Sequence, residues 1–587
     1  MFGFFGRWIS INLSNQTYEI ASLPDDILAQ YLGGKGLASY LLSKYNPKGV
    51  DPLSAENCIV FATGPVTNSL IWGSSRYGVY TKSPQTGFYA ESYAGGRVPE
   101  AIDSAGYDAI LIHGGAKRPI VLVVHPEGVE FHCAKDLWGL DTIESEDAVN
   151  ARYGLKRRPE HKSGAVVIGP AGENRVRFAV VENDHWRSAG RTGIGAVMGA
   201  KKLKAIAFQG NRRRPLYDPD GLKTFSSDFC QAAKSNPSIR LFRAQGTPKM
   251  VAAINKARAF PTRYWSENYL PDWEKLTAET LNASCDVSPV ACSKCLIGCG
   301  RQTTIRNGRH AGLRIGGPEY ETIFAFGGLC LVDSLEEIIY LNDICDRLGM
   351  DTISAGNLCG LAIEAARRGK IDIGIDYADV DGIANLLRMI AGREGVGDTL
   401  ARGIRFTSKQ WGLEDLAVHA KGLEPPGYDP RVLKGSGLGY AVSSRGACHL
   451  RATFHRPELN GQVDPDVIGG KALHLIDYED RLVLMDVLIL CRFYRDLYPW
   501  EKLARIFELT TGISMDKAAL SKCASDIVSL VRTFNVREGL TRNDDHLSER
   551  LYREATQSGH RLKRSDLTTM VQEYYALRGW SDVGNPL

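Results

Sequence analysis

The chain has 587 residues, 44% hydrophobic and 24% charged, with a net charge of +4. That composition buries substantial cores over roughly two to four domains, excludes disorder, and gives no reason to expect nucleic acid or a membrane surface as a partner. Thirteen cysteines, an odd number scattered through a large chain, argue for reduced thiols rather than a disulfide framework.

The start, MFGFFGRWISINLS, has no charged leading segment, no sustained apolar run and no small-residue cleavage site, and no stretch in the chain reaches membrane-spanning length. The expected compartment is the cytoplasm. Up to residue 210, β-branched or alternating runs (RWISINLS, YDAILIHGG, PIVLVVHPEGVEFH, GAVVIGPAG, LKAIAFQG) alternate with Gly, Pro and Asn, the pattern of strands and turns. Residues 74–96, 168–174 and 183–207 read as loops dense in Gly, Ser and Arg. Such loops suit close approach to an anionic ligand, with Arg76, Arg187 and Arg191 pairing with phosphates. GIGAVMGA lacks the strand-GxGxxG-helix context and the later acidic residue of a dinucleotide site, so NAD is not expected.

QGNRRRPLYDP (209–219) reads as a polar join, after which helical periodicity takes over. DSLEEIIYLNDICDRLG puts Leu335, Ile338, Ile339, Cys345 and Leu348 near one face, with Ser334 and Glu337 spaced as a capping box. A softer boundary near AVHAKGLEPPGYDP (417–430) divides the remainder. The expected organisation is α+β, a mostly β domain over 1–210 followed by two mainly α-helical domains over 211–417 and 418–587. Cys58 and Cys359 sit in apolar runs and read as buried small hydrophobes. RAFPTRYWSENY reads equally as the lining of a substrate site and as plain core.

The run CSKCLIGCGR places thiols at Cys292, Cys295 and Cys299. Thiolates this close together point to zinc or an iron-sulfur cluster, and either needs a fourth ligand from elsewhere. The spacing lacks the second C-x2-C of most structural zinc sites, which favours a 4Fe-4S cluster.

Taken in order, GRWISINLS, SPQTGFYAESYAGG, IGPAGENRVRFAVVEND, RSAGRTGIGAVMGAKKLKAIA, CSKCLIGCGR, GPEYET, CDRLGMDTISAG, YDPRVLKGSGLGYAVSSRGACH and YYALRGW span nearly the whole chain. This set resembles the aldehyde ferredoxin oxidoreductase family. The resemblance implies a tungsten, less often molybdenum, ion held by two pterin dithiolenes and a nearby 4Fe-4S cluster. The β domain would form a base for the two pterins. It also implies an aldehyde substrate, a carboxylic acid product, and ferredoxin or a ferredoxin-like subunit as electron acceptor, and leaves the oligomeric state open.

Carried over residue by residue, the resemblance makes Cys491, in DVLILC, the fourth cluster ligand after Cys292, Cys295 and Cys299. It makes Asp346 and Asp486 hydrogen-bond acceptors, one per pterin. Arg76 bridges pterin and cluster, and Arg187, Ser188, Gly190 and Arg191 form the phosphate loop. Gly95, Met350, Asp351, Arg445, Arg451, Leu490 and Arg492 complete the implied cofactor contacts. Three positions depart from the family pattern: Met350 for Leu, Ile489 for Gly, and Tyr93 where an Asn commonly helps hold a magnesium ion between the pterin phosphates. A backbone carbonyl such as that of Ser188 is the alternative ligand for that ion. Glu321 and His449 match the acid-base positions beside the metal; on residue type alone each reads as structural, Glu319 or Glu321 as a helix cap. Cys448 reads as packing. The rivals are an aromatic acyl-thioester ring reductase, disfavoured because residues 241–276 contain no histidine, and a non-catalytic iron-sulfur electron carrier.

Overall fold

The computed structural model describes residues 1–155, 158 and 160–587. Among these, the first 210 residues form two six-stranded sheets. One has the order β2-β1-β6-β3-β4-β5, built from β1 (Arg7–Asn12), β2 (Thr17–Ser22), β3 (Ile59–Ala62), β4 (Tyr77–Lys82), β5 (Tyr89–Ala94) and β6 (Ala109–His113). The other has the order β11-β10-β9-β12-β7-β8, from β7 (Ile120–His125), β8 (Gly128–Cys133), β9 (Lys162–Val167), β10 (Val181–Asn183), β11 (Arg187–Ala189) and β12 (Leu203–Gly210).

Strand alternation decides how these sheets stack. Ile59 and Phe61 of β3 face Leu122, Val124, Ile206 and Phe208 in a core shared by the two sheets. Their neighbours Val60 and Ala62 face the opposite way, onto Leu37, Leu41 and Leu42 of the helix Gly34–Tyr45. On the far side of the second sheet, Val121, Val123 and Ala205 pack with Val149 of the helix Thr142–Arg152. The inner strands are therefore buried on both faces, which is why they read as near-continuous apolar runs, while the edge strand β2 is largely exposed.

After residue 210 the chain is largely helical, as expected for the α+β class. A small sheet of β13 (Cys285–Val290), β14 (Gly300–Ile305) and β15 (Arg314–Ile315) interrupts it. The pairing Val290↔Gly300 closes residues 291–299 into a loop, and that loop holds the three clustered cysteines. The long helix Lys517–Arg537 returns to cover the first sheet through Val531 and Phe534.

Three expectations are corrected. Residues 74–96 are not a loop but largely the β4-β5 hairpin; their small residues fit because both strands are buried. GIGAVMGA opens a helix, Ile194–Ala200, yet it follows the short β11 of an antiparallel hairpin and so lacks a parallel βαβ setting. Ser334 occupies the N-cap of Leu335–Leu348 without a side-chain cap bond, and Glu337, which would return the second bond of the box, is drawn away to Arg309 at 2.8 Å and His310 at 3.2 Å.

The polar join is fastened down. Arg214 is buried, with Nε 2.7 Å from Asp103 and Nη1 2.5 Å from Asp108. The segment 486–488 lies directly on Gly34 and Gly64: a Cβ at Gly34 would stand 2.2 Å from the Val487 carbonyl oxygen, and one at Gly64 2.4 Å from that of Leu488. Only residues without a side chain allow this approach.

Candidate active site

The thiols of Cys292, Cys295 and Cys299 meet that of Cys491, which arrives from the end of the Asp486 segment. Its position is fixed by a backbone bond from Cys491 N to the Gly73 carbonyl at 2.9 Å, and the loop is tied back by Gly73 N to the Lys294 carbonyl at 2.6 Å. Burial, Glu319 and the other three sulfurs push the Cys299 thiol well up. Among the described residues the only three or more ligand atoms lying within 4.8 Å of one another are those of His310, Glu336 and Glu337. The four sulfurs are thus more widely set than the separation of about 3.8 Å that a single tetrahedral zinc imposes. Four thiols at that wider spacing suit an iron-sulfur cluster. Arg76 Nη1 lies 3.7 Å from Cys491 Sγ, and its Nη2 donates to the Tyr93 carbonyl at 2.9 Å. Gly95 leaves room for the loop: a Cβ there would sit 2.8 Å from Cys292 Sγ.

Beside the thiols a cavity of about 600 Å³ opens between the β-rich part and the helical part. Arg76, Tyr93, Ser188, Gly190 and Arg191 border it from below, and Glu321, Arg445, His449, Arg451, Asp486, Leu490, Cys491 and Arg492 from above. Asp486 accepts from Arg451 at 3.0 Å and from Arg492. Arg451 also reaches Glu91 at 2.6 Å, and Glu91 binds Lys35 at 3.0 Å and the Tyr93 hydroxyl at 2.7 Å. Despite burial, the Arg451, Lys35 and Arg445 cations hold the Glu91 carboxyl well below its usual range. Cationic donors are left over: Arg445 Nε, Arg451 Nε and Nη2, and Arg492 Nε are buried without partners. Orphaned guanidinium donors around an open cavity fit a large anionic cofactor.

Glu321 comes from the short helix Tyr320–Thr322 and His449 from the glycine-bearing turn after residue 445. Glu321 caps nothing in its own helix; its Oε2 accepts from Gly427 N at 3.0 Å. Oε1 makes no hydrogen bond but faces His449 Nε2 at 3.5 Å, and His449 Nδ1 is likewise unpartnered. Burial, partly offset by the Gly427 N–H and Arg191, raises the Glu321 carboxyl to about 7. Burial, with His455 and nearby arginines, lowers His449 well below its usual range, so the imidazole is neutral. A carboxyl titrating near neutrality beside a neutral imidazole can take up, hold and pass on a proton.

Arg187, Asp346, Met350 and Asp351 stand apart from this cavity's lining. Arg187 lines a separate cleft of about 380 Å³, beside the Cys292 and Cys299 thiols. Asp346 faces Asn342, which donates to it at 2.7 Å, and is raised well above its usual range by burial and by Glu182. Met350 bridges to Ala179 in backbone pairing. Asp351 caps the helix Thr352–Arg367 and takes Arg191 Nε at 3.1 Å. Arg191 spends its remaining bonds on the Ala447 carbonyl at 2.9 Å and the Glu424 carbonyl at 2.6 Å. Ser188 Oγ donates to Glu182 at 2.6 Å. Phe260, Tyr264 and Trp265 are fully buried in the main core, which settles RAFPTRYWSENY as packing.

Two features escaped the sequence. Cys448 is more than packing: burial would raise its thiol, but Arg445, whose Nη2 is 2.8 Å away, Arg451 and Arg191 bring it down to about 7. Glu91 gathers Arg451, Lys35, Arg445 and the Tyr93 hydroxyl, and the only available hint was a lone acid in a strand of small and aromatic residues, FYAESYA.

Four thiols, one of them bordering a cation-lined cavity that also holds a carboxyl–imidazole pair, suit a redox enzyme with a large anionic cofactor. Two family models match the chain, aldehyde ferredoxin oxidoreductase N-terminal domain over residues 8–210 and aldehyde ferredoxin oxidoreductase domains 2 and 3 over 224–587. The tungsten-containing aldehyde ferredoxin oxidoreductase of Pyrococcus furiosus is 34% identical over 100% of this chain and 97% of its own, and that of Thermococcus kodakarensis is 33% identical with the same coverage. The fold matches the active site complex BamBC of benzoyl coenzyme A reductase with a TM-score of 0.85 at 22% identity, covering 100% of this chain and 96% of that one. The chain belongs to the aldehyde ferredoxin oxidoreductase family of tungsten enzymes. None of its helices among the described residues is long and apolar enough to cross a membrane.

Proposed function

We propose that the protein oxidises an aldehyde and water to a carboxylic acid, releasing two protons and two electrons, the electrons leaving to ferredoxin or a similar carrier. The observation that carries this reading is the Glu321–His449 pair, 3.5 Å apart at the edge of the cavity that Cys491 also borders. When bound, a tungsten or molybdenum bispterin supplies the Lewis acid and first electron acceptor, and a 4Fe-4S cluster on Cys292, Cys295, Cys299 and Cys491 supplies the exit for electrons.

The remaining roles belong to the chain. Residues 1–210 serve as the base for two pterins, with 211–417 and 418–587 closing over them. Arg76, Arg445, Arg451 and Arg492 would present donors to pterin and phosphate oxygens, and Asp486, at the cavity, and Asp346, outside its lining, would address the ring edges. Leu490 and Gly95 provide close contact without polar competition, while Arg187, Ser188, Gly190, Arg191, Met350 and Asp351 shape the phosphate side. A magnesium ion between the phosphates would rely on backbone carbonyls such as that of Ser188, because the Tyr93 hydroxyl is committed to Glu91. The Glu321 carboxylate takes a proton as water adds to the carbonyl carbon, and His449, kept neutral by burial, faces and positions that carboxyl through Nε2 without becoming charged.

Glu321→Gln and His449→Asn in anaerobically purified holoprotein are expected to keep tungsten, pterin and iron at wild-type levels while lowering the rate of aldehyde oxidation roughly 10²- to 10⁴-fold. The double variant should lose less than the product of the two, since both act on one proton. Wild-type turnover in either single variant would remove the pair from the mechanism.

A further inference from the structure

One wall of the 600 Å³ cavity carries charge that has no part in the roles assigned above. Lys249, Arg456 and Arg495 all line it. The Lys249 ammonium lies 3.6 Å from the centre of the Phe242 ring and has no hydrogen-bond or ion-pair partner among the described residues. Arg495 is buried; it donates Nη1 to the Arg492 carbonyl at 2.9 Å, while its Nε is unpartnered and its nearest carboxylate, Asp496, is 4.0 Å away. Arg456 holds that same Asp496 at 3.1 Å, and the Asp496 side chain is 46% exposed. Arg456 and Arg495 thus share one half-solvated carboxylate, and Lys249 has none. Of the other acids lining the cavity, Asp486 is paired with Arg451 and Arg492, Glu319 accepts from the Thr247 hydroxyl and Glu321 from Gly427 N, and none pairs with these three cations.

Like charges gathered against apolar walls repel one another, and such a cluster is stable only when an anion neutralises it. Burial, Arg456 and Arg495 together bring the Lys249 ammonium down to about 8, the response of a cation with no counterion at hand. The cluster is also continuous with the reacting end. Tyr428 lies within the influence of Arg495, Arg456 and Glu321, and its ring is 5.6 Å from that of His449.

We propose that Lys249, Arg456 and Arg495 bind a compact oxyanion on the substrate, so that the enzyme acts on aldehydes carrying a second, anionic end held across the cavity from Glu321 and His449. This assignment rests on the aldehyde-oxidising reading. It names the substrate class: a short aldehyde with a terminal carboxylate, sulfonate or phosphate rather than a neutral aliphatic or aromatic one.

The test uses anaerobic holoprotein with chain-length-matched aldehydes, one neutral and three ending in carboxylate, sulfonate or phosphate. One anionic member is expected to exceed the neutral one at least 10-fold in kcat/KM, and which one identifies the oxyanion. Lys249→Met and Arg456→Met should lower that kcat/KM roughly 10- to 100-fold, the range for lost charge-assisted contacts, mainly through KM, and leave the neutral aldehyde unchanged. Calorimetric titration with the corresponding dicarboxylate, sulfo-carboxylate or phospho-carboxylate product gives a readout independent of turnover. If no aldehyde is oxidised yet one product analogue binds and Lys249→Met abolishes it, the anion site stands and the aldehyde reading fails. Equal use of neutral and anionic aldehydes, or equal losses for both in the variants, overturns the anion site. Loss of tungsten and pterin from Lys249→Met would assign the cations to the cofactor instead, and likewise overturn it.

Discussion

At Glu321 a single carboxyl ties catalysis to pH. Its ordinary value of 4.5 becomes about 7 in the fold, chiefly through burial. Acting as a proton acceptor it must be ionised, so kcat/KM for aldehyde oxidation should rise with pH through about 7, and Glu321→Gln should remove that limb. Stability runs the other way. Below 4.5 the carboxyl is neutral in folded and unfolded chains alike; between 4.5 and 7 the unfolded chain releases its proton while the folded one keeps it, so stability falls as pH rises across that window. Cofactor-free Glu321→Gln should match wild type at pH 4.5 and be more stable at pH 8 by up to about 3 kcal/mol, read as a higher Tm; equal Tm values at pH 8 would count against the raised carboxyl. Glu321 and His449 were singled out through the family resemblance of GPEYET and RGACH, and the structure brings the two together at one cavity. Ile489 was legible only as a departure from Gly. The structure gives the reason for concern there: its φ is +56°, the left-handed region that a β-branched side chain adopts at a cost of about 1–3 kcal/mol. Glu91 was not legible because Arg445 and Arg451 lie hundreds of residues from it, and Cys448 was not because nearness in sequence to Arg445 and Arg451 does not show that their charges turn onto its sulfur.

Elements were read well where periodicity was strong and poorly where small residues blurred it. The apolar runs from RWISINLS to LKAIAFQG became strands because alternation and burial agree. The β4-β5 hairpin was taken for a loop because buried strands that approach other backbone need Gly, Ser and Ala, the same residues that build turns. The capping box at Ser334 lacks its second bond because Arg309 and His310, invisible from local spacing, compete for Glu337. Contact between distant elements is equally hidden, and the seat of segment 486–488 on Gly34 and Gly64 illustrates it. Gly64→Ala places a methyl within 2.4 Å of the Leu488 carbonyl, so the segment carrying Cys491 must move. The variant is expected to lower Tm and to lose iron by elemental analysis. Gly374→Ala, where nothing stands within 4 Å of the added carbon, should do neither; full iron content in Gly64→Ala would show that the contact does not position Cys491.

On the scale of the whole molecule, the join after residue 210 is anchored rather than free, and Arg214 is the anchor. Arg214→Met would leave Asp103 and Asp108 buried with no cation, a change that typically costs about 3–5 kcal/mol. Asp103, raised to about 6 by burial even with Arg214 present, would rise further, so the deficit in Tm should be largest at alkaline pH and shrink as the solution is acidified below 6. A deficit independent of pH would point to lost packing instead. The chain is close to neutral, at +4 over 587 residues, and the cationic wall of Lys249, Arg456 and Arg495 is therefore a local field on an otherwise balanced particle. Such a field acts before contact. It draws an oppositely charged solute from solution over a range set by the ionic atmosphere, about 8 Å in physiological salt and about 30 Å at 0.01 M. The capture of an anionic aldehyde should accordingly slow as salt is added while its conversion, once seated, does not, and a neutral aldehyde should arrive at the same rate in either medium.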